Sequence, residues 1–170
     1  VRHHIALSRE TRMTHATRIV ASVVLVALAV GAPVQAQTPE ETDALRARAE
    51  EGDAAAQVSL GARYDIGFGV PQDDVEAVRW YRLAADQGFA RAQVNLGFMH
   101  DNGRGVPQDY VQAHRWFNLA ASRMASGHRQ HAVEVRDQVA GLMTSTQIAE
   151  AQRLAREWDA AHPREPHQAV

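Results

Sequence analysis

His114, His128 and His131 are the side chains of this chain best suited to chemistry. His128 and His131 stand i, i+3 on a predicted helix. With Glu134 or His114 they offer the ligand types of a metal site, or the base of a hydrolase. The spacing lacks the glutamate of a zincin motif, so a solvated helix face is the favoured reading and an envelope hydrolase or peptidoglycan-acting enzyme built on these histidines is the alternative. Gly67-Phe-Gly69 and Gly103-Arg-Gly105 resemble phosphate loops. Neither gains the third glycine of a dinucleotide fingerprint, no strand pattern precedes them, and no lysine exists to complete a P-loop. All 18 basic residues are arginine, which also removes Schiff-base and Ser-x-x-Lys chemistry. Acid pairs such as Asp73-Asp74 and Glu50-Glu51 fall at predicted helix ends, where they serve caps and dipoles. No catalytic residue, metal ligand or cofactor is therefore assigned.

The elements that carry these residues are written twice. Residues 56–85 return at 92–121, a period of 36, with 19 of 30 positions identical, including Leu60/Leu96, Gly61/Gly97, Pro71/Pro107, Asp73/Asp109 and Trp80/Trp116. A period in this range marks a solenoid, whose units bury their apolar faces against neighbours. Ala56, Leu60 and Tyr64 lie at i, i+4, i+8, and Ala77, Trp80, Tyr81 and Ala84 at i, i+3, i+4, i+7, so each unit predicts two amphipathic helices. Gly67, Gly69 and Pro71 break the pair. Asp73 with Glu76, and Asp109 with Gln112, predict capping boxes on the second helix of each unit. Small residues on the facing stripes let the helices approach closely, with Trp80 and Trp116 filling the space between successive pairs. The tryptophans recur in register and read as core.

The flanks differ. Arg18 precedes an apolar run, residues 19–30, followed by Gly31, Pro33 and Val34-Gln-Ala36. A run of 12 residues is short of the roughly 20 that span a bilayer, so the pattern predicts a signal peptide, cleaved after Ala36, and no lasting membrane anchor. Met13 marks its expected start, with residues 1–12 an upstream extension. The expected location is periplasmic or secreted. No cysteine is present, so no disulfide framework or lipidated cysteine is expected. Four of the 18 arginines and one of the 20 acids precede Gln37, leaving 14 against 19. That mild acidity, without a basic run, argues against nucleic acid or an anionic membrane as partner. Thr38-Pro-Glu-Glu41 predicts a short N-terminal capping helix within 37–52. The repeats follow at 53–88 and 89–124. Over 125–161 a helix near 128–142 leads to a second one, opened by Thr144 with Gln147 and carrying Ile148, Ala151, Ala155 and Trp158 on one face. A tail over 162–170 has little to bury and is expected to be mobile.

The motif A-Q-x-x-L-G, G-x-G-V-P-x-D-x-x-x-A, W-[YF], A-A resembles the Sel-1-like repeat, a relative of the tetratricopeptide repeat. The resemblance implies an all-α, α/α superhelical solenoid of stacked hairpins between N- and C-terminal capping helices. It further implies a non-enzymatic scaffold or regulator that binds a protein or peptide in the bacterial envelope. Phe89 departs from the pattern, occupying the cap position that Asp53 holds in the first unit, so the second unit's first helix is expected to start less firmly. If the first helix of each pair lines the concave face, projection places Val58, Ala62 and Asp65, then Arg91, Val94, Phe98, Asp101 and Asn102, along a groove. Phe98 with Val94 is its expected apolar anchor; the competing placement puts Phe98 under the helix opened by Asp109.

Overall fold

The computed structural model describes residues 39–163; the apolar run at 19–30, Thr38 and residues 164–170 lie outside them. Among the described residues the chain is all-helical: α1 (Pro39–Glu50), α2 (Ala54–Ile66), α3 (Asp74–Asp86), α4 (Ala90–Asn102), α5 (Tyr110–Arg123), α6 (Ser126–Ala140) and α7 (Ser145–Ala161). Each helix from α1 to α5 packs on the next, and α7 turns back onto α5. This is the expected stack of hairpins, α2/α3 and α4/α5, with helices at both ends.

Close approach within each hairpin depends on missing side chains. A Cβ built on Gly97 would lie 2.6 Å from the Phe117 ring, and one on Gly61 2.8 Å from Tyr81, so the aromatic of each second helix rests on the bare backbone of the first. Gly105 does the same between hairpins. Its φ is +65°, and a Cβ there would stand 2.2 Å from the Asp74 carbonyl, which lets the second hairpin's loop lie on the start of α3.

Asp73 accepts from the Val75 and Glu76 amides and Asp109 from Gln112, so both N-caps form. The reciprocal half of the expected capping boxes does not. The Asp73 amide donates to the Tyr64 carbonyl and the Asp109 amide to that of His100, both at 2.9 Å, while Glu76 and Gln112 turn to Arg79 and Arg115. The cap backbone is already spent on the preceding helix. Thr144 and Gln147, with no helix competing, close a full box on α7.

The end helices continue the array. Gln57 Nε2 donates to the Ala49 carbonyl at 3.0 Å as Gln93 Nε2 does to Ala85 at 3.2 Å, which puts α1 in the place of a second helix of a preceding pair. At the other end α6 stands 36 residues after α4, with buried Ala132 and Val135 where α4 has Leu96 and Met99. Its outer face is polar. Helix α7 buries Ala151, Ala155 and Trp158, and leaves Ile148 half-buried. Trp158 meets Trp116 edge-on at 6.1 Å, stacks flat on His162 at 4.1 Å, and lies beneath Arg123, which pairs with Asp159 at 2.5 Å. His162, expected in a tail with little to bury, is thus tied to the last helix.

Candidate binding surface

The eight residues projected onto one groove do not share a surface. Val58 packs among Tyr81, Leu96 and Trp116, and Val94 among Phe117, Ala120 and Ala132; they are 5% and 8% exposed and belong to the core. Each first helix of a solenoid is packed on two flanks, by its own partner and by the preceding helix. Its buried arc is therefore wider than one stripe. Ala62 is half-buried. Asp65 is held inside the array, its Oδ1 2.6 Å from Arg104 Nη2 and its Oδ2 accepting from the Tyr81 hydroxyl at 3.2 Å. Burial and this carboxylate push the Tyr81 phenol above its ordinary value.

On α4 the outward stripe is Arg91, Asn95, Phe98 and Asn102, at i, i+4, i+7 and i+11. Phe98 is half-buried: its ring meets Phe117 of α5 edge-on at 5.0 Å and lies 6.3 Å from the His131 ring of α6. Its packing on α5 is the placement that competed with the groove, under the helix opened by Asp109. Asn102 Nδ2 donates to the Phe98 carbonyl at 2.9 Å, pinning the last turn. Asp101, one turn beyond Phe98, is half-buried without a hydrogen bond or ion pair to its carboxylate, and burial raises it above the usual carboxylate range. Its counterpart Asp65 has Tyr81 and Arg104; at the equivalent places the second unit offers Phe117 and Ala140.

About 10 Å down the same stripe, exposed Arg91 borders a shallow cleft of about 330 Å³, lined also by Phe89, Ala90, Met124, Ala125 and His128. Sequence reasoning missed it, although one signal was present. An aromatic at a cap position gains nothing for the helix it starts, and Phe89 makes no side-chain cap bond; yet α4 is as long as α2. Ala125 likewise starts α6 without a side-chain cap. The cleft thus combines apolar lining from Phe89 and Met124 with Arg91 and His128, and has two uncapped helix starts beside it.

Of the histidines considered for chemistry, His114 is buried while His128 and His131 are exposed. Among the described residues no group of three or more histidine, aspartate or glutamate side chains is placed to hold a metal. No described helix is long and apolar enough to cross a membrane.

The Sel1 repeat model matches residues 54–89 and again 90–123. The chain carries two Sel1 repeats. Among solved structures it is similar to a protective antigen of uropathogenic Escherichia coli strains displaying an SLR fold, with 29% identity and a TM-score of 0.71 over 93% of this chain and 34% of that one. It is also similar to a Sel1 repeat protein from Oxalobacter formigenes, with 40% identity and a TM-score of 0.50, covering 51% of this chain and 66% of that one. The chain thus spans about a third of the antigen's length. No curated protein matches the sequence. Sel1 repeats generally serve as scaffolds for protein–protein interaction. In the two repeats of this chain the residues shared between units, Leu60/Leu96 and Trp80/Trp116, are buried, whereas Ala62/Phe98, Ala55/Arg91 and Asp53/Phe89 differ between units on the stripe and at the cleft.

Proposed function

We propose that this chain is a non-enzymatic scaffold of the bacterial cell envelope that binds a segment of a partner protein on its concave face, along the surface shared by α4 and α6. The observation that carries the reading is Arg91 and Phe98 on one stripe of α4, with Phe89 at its N-cap lining the same cleft as Arg91 and His128, and His131 of α6 beside the Phe98 ring. Open aromatic edges beside an arginine are the anchors that dominate small interfaces. Nothing at the histidines favours the hydrolase alternative. The envelope location is supported by the apolar run at 19–30 and Val34-Gln-Ala36.

The test is capture from an envelope fraction with chain 37–170 as bait, comparing wild type with a Phe89→Ser/Arg91→Glu variant. Both residues are exposed, so helical content is expected to persist while the partner seen with wild type is lost by tenfold or more. A partner retained at wild-type level would place the binding surface elsewhere. His128 borders the cleft, so His128→Ala is expected to weaken capture, in contrast to a histidine that is merely solvated. N-terminal sequencing of exported protein that finds Gln37 first supports the export reading; residues 19–30 still attached would overturn it.

A further inference from the structure

One polar contact recurs along the array where the second helix of one pair meets the first helix of the next. Residues 46, 82 and 118 occupy one side of it at 36-residue intervals, and residues 64, 100 and 136 the other. At the first seam Arg46 Nη2 donates to the Tyr64 hydroxyl at 3.1 Å, and at the third Arg136 Nη1 donates to Asn118 Oδ1 at 3.4 Å. At the middle seam the pair is Arg82 and His100, and no hydrogen bond joins them. His100 is 8% exposed with both ring nitrogens buried and without a partner. A buried polar group left open is unusual enough to call for an occupant.

A second substitution lies beside it. In the first repeat Arg79 stacks on Trp80 at 4.0 Å and is neutralised by Glu76, Nη2 to Oε2 at 2.9 Å. In the second, Arg115 stacks on Trp116 at 4.4 Å, but the neutral Gln112 stands in place of Glu76 and accepts one bond from Nη1 at 2.9 Å. Arg115 Nε is buried without a partner. The charges facing His100 are Arg82, Arg115 and Asp109, and those facing Arg115 are Asp86 and Arg82. Neither acid closes the site: Asp109 Oδ1 is engaged in capping α5, and Asp86 makes no ion pair with either arginine. The fields of two arginines therefore act on an unpaired buried histidine, at a place where the first seam and the first repeat have their own partners.

We infer that Arg82, His100 and Arg115 form a site for one anionic oxygen group, a carboxylate or a phosphate, held against α4 between α3 and α5. The guanidinium groups supply charge and paired N–H donors, and the ring supplies a donor from inside the seam. His100 lies two residues past Phe98, on the other side of α4, so this site is separate from the α4–α6 surface and does not depend on it. The group arrives either as a free anion or as an acidic side chain of a bound polypeptide.

Ring ¹⁵N and ¹H resonances of His100, followed in the intact chain during titration with inorganic phosphate, acetate or a short peptide holding one glutamate, decide the matter. The expected result is a saturable shift of His100 with His131 unmoved, and an upward move of the His100 titration midpoint in the presence of the probe, because the bound anion favours the imidazolium. Saturation by phosphate or acetate marks a free-anion site; saturation by the peptide alone marks an acidic residue of a partner. Gln112→Glu, which supplies the carboxylate that Arg79 already has, should weaken binding tenfold or more, as should Arg82→Gln; circular dichroism confirms that each remains folded. No saturable shift with any probe, or a shift unchanged in both variants, would overturn the site.

Discussion

Arg104 reaches two carboxylates across the repeat seam, Asp65 at 2.6 Å and Asp74 at 2.5 Å, and donates to the Asp65 carbonyl as well. Its counterpart in the first repeat is Phe68, so the periodicity that exposed the fold gave no hint of this link; only the folded stack brings residues 39 positions apart together. Arg104→Gln leaves two half-buried acids facing each other and should cost about 1–2 kcal/mol in urea unfolding, between the values for exposed and buried pairs. The buried histidines act through pH. Desolvation is the main cause that lowers both His100 and His114, aided by Arg82 and Arg115 for the first and Arg136 for the second, and opposed by Asp109 and Asp137. The unfolded chain takes up protons at these rings near pH 6.5, where the folded chain resists them. Stability from this source is therefore fully present above that pH and is lost as pH falls through and below it. Unfolding midpoints at pH 7.5 and 5.5 should differ more in wild type than in a His100→Gln/His114→Gln variant; equal differences would assign the acid sensitivity to other groups. Sequence could not mark these rings as buried, because a histidine on a helix reads as solvated until both of its flanks are known.

At the level of elements, helix type and register were legible because the apolar period agrees with the glycine breaks after α2 and α4 and with the N-cap aspartates of α2, α3 and α5. What sequence missed is competition between neighbours. The capping boxes at Asp73 and Asp109 read correctly as local motifs and lose their second half to carbonyls of the preceding helix. Val58 and Val94 read as groove-lining because a single apolar stripe was assumed for helices that are covered on two sides. Helix α7 shows the opposite case, where the local reading sufficed: an isolated box and one apolar face place Ala151, Ala155 and Trp158 as drawn. Trp158→Ala removes a ring 7% exposed that Trp116, Arg123 and His162 surround, and should cost about 3–5 kcal/mol. A loss under about 1 kcal/mol in thermal or urea unfolding would mean that α7 packs only loosely on α5. Phe98 is half-buried, so Phe98→Ala should cost about 2 kcal/mol, roughly half the fully buried value.

For the whole molecule, the question is whether two Sel1 repeats and their end helices unfold as one body. Solenoid stability is a sum of units and nearest-neighbour interfaces, so long arrays fray from their ends. This array is short, and one apolar cluster runs through it from Val58 of α2 by way of Tyr81, Leu96 and Trp116 to Trp158 of α7. The back-folded last helix is what extends that cluster, because it leaves the stacking direction and returns to α5. The tryptophans sit at opposite ends of the assembly, Trp80 in the cluster with Ala49, Ala56 and Leu60, and Trp158 beside Trp116. Each can serve as a local reporter. A variant retaining Trp80 alone and one retaining Trp158 alone, with phenylalanine at the other two sites, should each give a fluorescence transition that coincides with its own loss of helical circular dichroism. Fluorescence that changes at lower denaturant than helix content at either end would instead show that end fraying ahead of the rest, and would limit a stable binding surface to the α4–α5 centre.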